Sequence, residues 1–139
     1  MDFFTLHRLI YEDNKNYNVL IVEDTPMIQK VIMAYFRKYN IDVNQIKILD
    51  NATDAILYIG EHYGDITHYS LDFDLAQGEK GEQVAEFLAQ QGNDGSNVWV
   101  HSGNPDGAAI IKQYLPVAKI AESPKNAVEI STDINQTNF

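Results

Sequence analysis

Asn18-Val19-Leu20-Ile21-Val22-Glu23-Asp24 is a short apolar, β-branched run that ends in two adjacent carboxylates, and a helical pattern starts directly behind it at Thr25-Pro26. A strand that need not alternate polar and apolar residues is one buried on both faces, as in the middle of a parallel sheet. In open α/β sheets ligands sit beyond the carboxyl ends of the strands. Glu23 and Asp24 would stand there and repel each other unless a cation or a proton lay between them. The arrangement points to a site of the Mg²⁺ type.

The rest of the chain repeats the strand–helix alternation. Strand one is expected over Val19–Glu23, followed by a helix in which Met27, Val31, Ile32, Ala34, Tyr35 and Phe36 recur at helical spacing to about Tyr39. Ile46–Leu49 reads as strand two, and Ala52, Ala55, Ile56 and Ile59 as one face of helix two, broken at Gly60 to Gly64. Ile66–Asp72 reads as strand three, and after a loop through Gly81 a third helix carries Val84, Ala85, Phe87 and Leu88. Val98–His101 is strand four, Asn104-Pro105 opens helix four, and Val117–Ala121 is a weaker fifth strand. Such alternation predicts an α/β, flavodoxin-like three-layer sandwich with a five-stranded parallel sheet of order 2-1-3-4-5. Residues 1–16 read as an N-terminal extension with a short helical piece from Phe3 to Tyr11, 17–131 as the domain, and 132–139 as a polar tail after a short helix around Asn126–Ile130.

Composition limits the function. Ten basic against twenty acidic residues give a formal charge of −10, which argues against nucleic acid or an anionic membrane as partner and suits a cation-binding pocket. No apolar run approaches the roughly 18 residues of a membrane span, and the N-terminal residues lack the pattern of a signal peptide, so a cytoplasmic protein is expected. The absence of cysteine excludes disulfides, thiol catalysis and thiolate zinc sites. Gly78-Glu79-Lys80-Gly81 lacks the ending of a phosphate-cradling P-loop.

With these strands, Glu23, Asp24, Asp72, Asp74 and Ser102 fall together at carboxyl ends. Here the chain resembles the receiver domain of two-component response regulators over nearly its whole length. The resemblance implies that Glu23 and Asp24 are the acidic pair holding Mg²⁺ (or Mn²⁺), that Asp72 is a further metal ligand and the phosphoacceptor, and that Ser102 is the switch hydroxyl. Asp74 falls where the family lends a backbone carbonyl to the metal, with its side chain at the pocket rim. A histidine kinase or other phosphodonor and a protein target would then be the partners. Plainer roles exist for the same residues: Asp24 can cap the helix behind it, and strand-end serines are common.

Two positions depart from the ordinary receiver. The residue before Pro124 is Ser123 rather than lysine, with Lys119 and Lys125 the nearest cations, and strand four ends in His101-Ser102-Gly103-Asn104-Pro105-Asp106-Gly107. Together with Leu71-Asp72-Phe73-Asp74-Leu75 this run resembles a divergent receiver group named for cyclic-phosphate processing. In that group's terms Asp72, His101 and Ser102 are the catalytic candidates: a metal at Asp24 and Asp72 would polarise a phosphate, with Glu23 acting through water, and His101 would be the acid or base. A small cyclic-phosphate nucleotide is the implied substrate. Alternatively His101, on the strand face of Trp99, is a packed core histidine. A stand-alone receiver-like domain that handles phosphate is the expectation, as an enzyme or as a phosphorelay module.

Overall fold

In the computed structural model, which describes residues 18–38 and 42–121, the run Val19–Val22 is β1 and every side chain in it is buried. The elements follow as α1 (Pro26–Lys38), β2 (Ile46–Leu49), α2 (Ala52–His62), β3 (His68–Leu71), α3 (Gly81–Gln90), β4 (Val98–Val100), α4 (Pro105–Tyr114) and β5 (Lys119–Ile120). All neighbours pair in parallel and the sheet order is β2-β1-β3-β4-β5, as expected. The N-terminal extension, the helix expected near Asn126–Ile130, Lys125 and the C-terminal tail lie outside the described residues. No helix among the described residues is long and apolar enough to cross a membrane.

Burial sorts the strands by position. β1 and β4 are buried along their length, whereas the edge strands β2 and β5 are half-buried and exposed. Leu20 and Val22 of β1 face α2, α3 and α4 together with Tyr69, Leu71, Val98 and Val100. Val19 and Ile21 face the other way, against Ile32 and Phe36 of α1 and beside Trp99. Two apolar layers on one sheet, each large side chain contributing roughly 1.5–3 kcal/mol on burial, hold the strand ends in fixed register.

Several boundaries differ from the sequence reading. β1, β3 and β4 stop one residue short of Glu23, Asp72 and His101. Helix two runs through Gly60 to His62 instead of breaking there, because its apolar stripe continues past Ile59 and a single interior glycine costs only about 1 kcal/mol. Helix starts are capped as their sequences suggest: the Asn51 side chain accepts from the Asp54 N–H at 2.8 Å, and that of Asn104 from the Gly107 N–H at 3.0 Å, with Pro105 in the first turn.

Candidate active site at the carboxyl edge of the sheet

The ladder continues one step beyond the three central strands. The N–H of Asp72 donates to the Val22 carbonyl (3.0 Å) and that of His101 to the Leu71 carbonyl (2.9 Å), while Glu23 N–H donates to Leu49 (2.9 Å). Val22 pairs with Leu71 and Leu71 with Val100, so Glu23, Asp72 and His101 occupy the next level of β1, β3 and β4. Since Val22, Leu71 and Val100 face α2–α4, the following residue on each strand points to the α1 side. Parallel neighbours lie about 4.8 Å apart. Three side chains at one level on one face therefore converge, and one ligand atom from each lies within 4.8 Å of the others.

Depth differs within this cluster. His101 is 0% and Glu23 1% exposed, whereas Asp72, Asp24 and Ser102 are half-buried. His101 and Glu23 thus form the floor, and Asp72 is the member of the cluster open to solvent. The imidazole is hydrogen-bonded through Nδ1 to Ser70 Oγ at 2.8 Å, and its Nε2 lies 3.2 Å from Glu23 Oε1. Glu23 Oε2 accepts from the Thr25 N–H (3.2 Å), its carbonyl accepts from Gln29 Nε2 (2.6 Å), and Asp72 Oδ1 accepts from the Phe73 N–H (2.8 Å).

Two carboxyls so placed cannot both ionise freely. Burial, reinforced by the charge of Glu23, pushes Asp72 up to about 7, against the lowering effects of His101 and the Phe73 N–H. Burial would raise Glu23 as well, but the His101 hydrogen bond and charge, the Thr25 N–H and Asp72 together hold it below the ordinary range. Below about pH 7, then, Glu23 is the ionised partner and Asp72 carries the shared proton. Burial and Glu23 also raise Asp24.

The remaining expected residues sit around the rim. Asp24 lies outside the three-residue cluster; Thr25 Oγ donates to its Oδ1 at 3.4 Å. The carbonyl of Thr25 accepts the Gln29 N–H at 3.0 Å, so the helix start is organised by Thr25 and Glu23. Asp74 is exposed and pairs with Lys80 Nζ at 2.8 Å, which holds its carboxyl below the usual range. Ser102 Oγ accepts from the Asn104 N–H at 3.0 Å. Lys119 donates to the Ser96 carbonyl (3.2 Å) and lies over the Trp99 ring (4.7 Å), directed toward the amino end of β4 and away from Asp72.

Ser70 is the site residue that the sequence reading passed over. Its signal was present: a polar residue two positions before Asp72 shares that residue's strand face. Two glycines of the loops also acquire a reason. A Cβ on Gly81 would overlap the Asp72 carbonyl, and one on Gly107 would overlap the Phe73 ring. The glycine that ends the His101–Gly107 run is what lets α4 start against the loop after β3.

Several solved structures with a similar fold are response regulators or their receiver domains. Similar ones are the response regulator Rcp1 in its Mn²⁺-bound form (18% identity, TM-score 0.62, covering 86% of this chain and 90% of that one) and CheY of Borrelia burgdorferi in a CheX–CheY–BeF₃–Mg²⁺ complex (15%, 0.58, 88% and 90%). A third is the BeF₃-activated receiver domain of RstA from Klebsiella pneumoniae (17%, 0.59, 86% and 96%). No match was found among curated proteins. The family described as the cyclic-phosphate processing receiver domain matches residues 17–116. With its sheet order, its acidic carboxyl edge and His101 behind Asp72, the chain belongs to that family.

Proposed function

We propose that this receiver domain binds a divalent cation, Mg²⁺ or Mn²⁺, at Glu23 and Asp72 with Asp24 at the rim, and processes a cyclic phosphate on a small nucleotide. The observation that carries the reading is the convergence of Asp72, open to solvent, with His101 and Glu23 in the buried floor. An imidazole in that place serves proton transfer, whereas the fold's lysine before Pro124 is Ser123 here.

The donor set fits the cation. Two carboxyl groups, one of them pushed up to about 7 by burial and by its neighbour's charge, are the oxygen ligands a hard cation takes. When bound, the ion would neutralise charge on the phosphate and polarise its oxygens. Opening a cyclic phosphodiester forms one bond from a water oxygen to phosphorus, breaks one ring P–O bond and requires a proton on the released oxygen. Asp72 lies at the open side, and His101, fixed by Ser70 and linked to Glu23, is a proton store behind it. Asp74 and Ser102 border the approach without joining the floor.

A second reading has its own support. Asp72 is the member of the cluster that reaches solvent, with the Ser102 hydroxyl in the loop after β4. A phosphorelay module would accept a phosphoryl group on Asp72 from a histidine kinase or other phosphodonor and signal through Ser102 to a protein target. Incubation with Mg²⁺ and 2′,3′-cyclic nucleotides, and in parallel with acetyl phosphate, separates the two. Catalytic ring opening that is lost in both Asp72→Asn and His101→Ala is expected. A stable phosphoprotein without turnover, insensitive to His101→Ala, would replace the first reading by the second.

A further inference from the structure

Among the described residues, the cluster that the proposed function assigns has carboxylates and an imidazole but no lysine or arginine for a phosphate. Of the described lysines and arginines, Lys30, Arg37 and Lys38 lie along α1 and Lys47 on the edge strand β2, with its ammonium over the Tyr58 ring at 5.7 Å. Lys112 is in the last turn of α4, and Lys119 is directed toward the amino end of β4. Lys80 is different. Residues 74 and 80 pair as an isolated antiparallel bridge, and the Leu75 N–H donates to the Glu79 carbonyl at 3.0 Å, so the loop after β3 closes back on its own start. The next residue, Gly81, touches the Asp72 backbone so closely that a Cβ would not fit. The Lys80 ammonium lies 5.6 Å from the ring of Phe73, the neighbour of Asp72, and 2.8 Å from Asp74 Oδ1.

We propose that Lys80 supplies the positive charge for a phosphate held at Asp72, in place of the missing lysine before Pro124, and that Asp74 holds it at the rim until a phosphate arrives. The inference rests on the reading of the Asp72 pocket as a phosphate site. Asp74 Oδ2 also lies 3.5 Å from Asn104 Nδ2, and the Asn104 N–H donates to Ser102 Oγ. The carboxylate of Asp74 thus sits between an ammonium and an amide contributed by the two loops flanking Asp72, a place an anionic phosphate oxygen can take over. The exchange asks little of the lysine. Its flexible four-carbon stem carries a point charge, its side chain is 46% exposed, and the pair it leaves is a surface ion pair worth little in water.

The test is binding, read without turnover. Inorganic phosphate is titrated into the full chain with Mg²⁺ present, followed by ³¹P NMR and calorimetry. Lys80→Met should weaken phosphate binding about tenfold, and Lys80→Arg should restore most of it. Asp74→Asn, which frees the lysine, should tighten binding about 1.5- to 5-fold. Lys119→Met should bind as the wild type does. If the wild type binds phosphate and Lys80→Met binds equally well, Lys80 has no such role while the phosphate-site reading stands. If Asp74→Asn weakens binding, Asp74 is not a holding group. If the wild type with Mg²⁺ takes up no phosphate at millimolar concentration, the reading and this inference fall together. Thermal melts of each variant exclude unfolding as the cause.

Discussion

Removing one charge from the floor should stabilise the metal-free protein, and only at high pH. Asp72 titrates at about 7 in the folded state against an ordinary 3.8. Its folded value is the higher one, so the folded state binds the extra proton and stability falls as pH rises through this window. The effect is absent below about 4 and complete above about 8. At about 1.4 kcal/mol per decade the ceiling is about 4 kcal/mol; partial exposure of Asp72 and water at the pocket mouth reduce this to about 2 kcal/mol. Asp72→Asn keeps the shape, can still donate to Glu23, and never acquires the charge. In a chain of this length about 2 kcal/mol corresponds to about 6–10 °C in Tm. Calorimetric melts in EDTA at pH 8 should therefore show Asp72→Asn above the wild type by that amount, and at pH 4 the two should coincide. Comparison at equal pH cancels the carboxylates outside the cluster. A variant less stable than wild type at pH 8, or a gap that does not change with pH, would refute the account of two carboxyls sharing one proton.

The same cluster predicts metal behaviour: calorimetry with Mg²⁺ or Mn²⁺ should give binding that Glu23→Gln and Asp72→Asn each weaken at least tenfold and Asp24→Asn weakens less, since Asp24 stands outside the convergent set. Wild-type affinity in all three would leave the acids as strand-end residues. Gly107→Ala should cost about 2–3 kcal/mol, because its Cβ overlaps the buried Phe73 ring, whereas Gly78→Ala meets only open space and suffers from its left-handed φ of 72° alone. Equal Tm values for these two variants would contradict the close approach of α4 to the loop after β3.

The framework of this fold could be read because its central strands are buried on both faces and so appear as unbroken apolar runs; even the edge strand Ile46–Leu49 was legible to the residue. The acids at the carboxyl edge were legible as a group, but not their ranking. Which of Glu23 and Asp24 turns inward depends on a single step of strand parity, settled only once Val22 is seen to face α2–α4. His101 had two readings from sequence, packed core residue or site residue, and the geometry joins them: it is fully buried and it touches Glu23. Lys80 was hidden because its place beside Phe73 and Asp74 arises from loop closure, for which sequence spacing offers no pattern.

The contact of Gly107 with Phe73 bears on how this family can vary. Phe73 belongs to the loop that carries Asp72 and Lys80, and Gly107 to the first turn of the helix behind His101 and Ser102. Neither loop can be remodelled alone, since a bulkier residue at 107 displaces 73 and a shifted 73 leaves α4 unsupported. In a chimera between two relatives, the segments after β3 and β4 therefore need to come from the same parent. A crossover placed between them would mismatch a ring with a glycine, whereas one placed between β1 and β3 would leave that interlock whole.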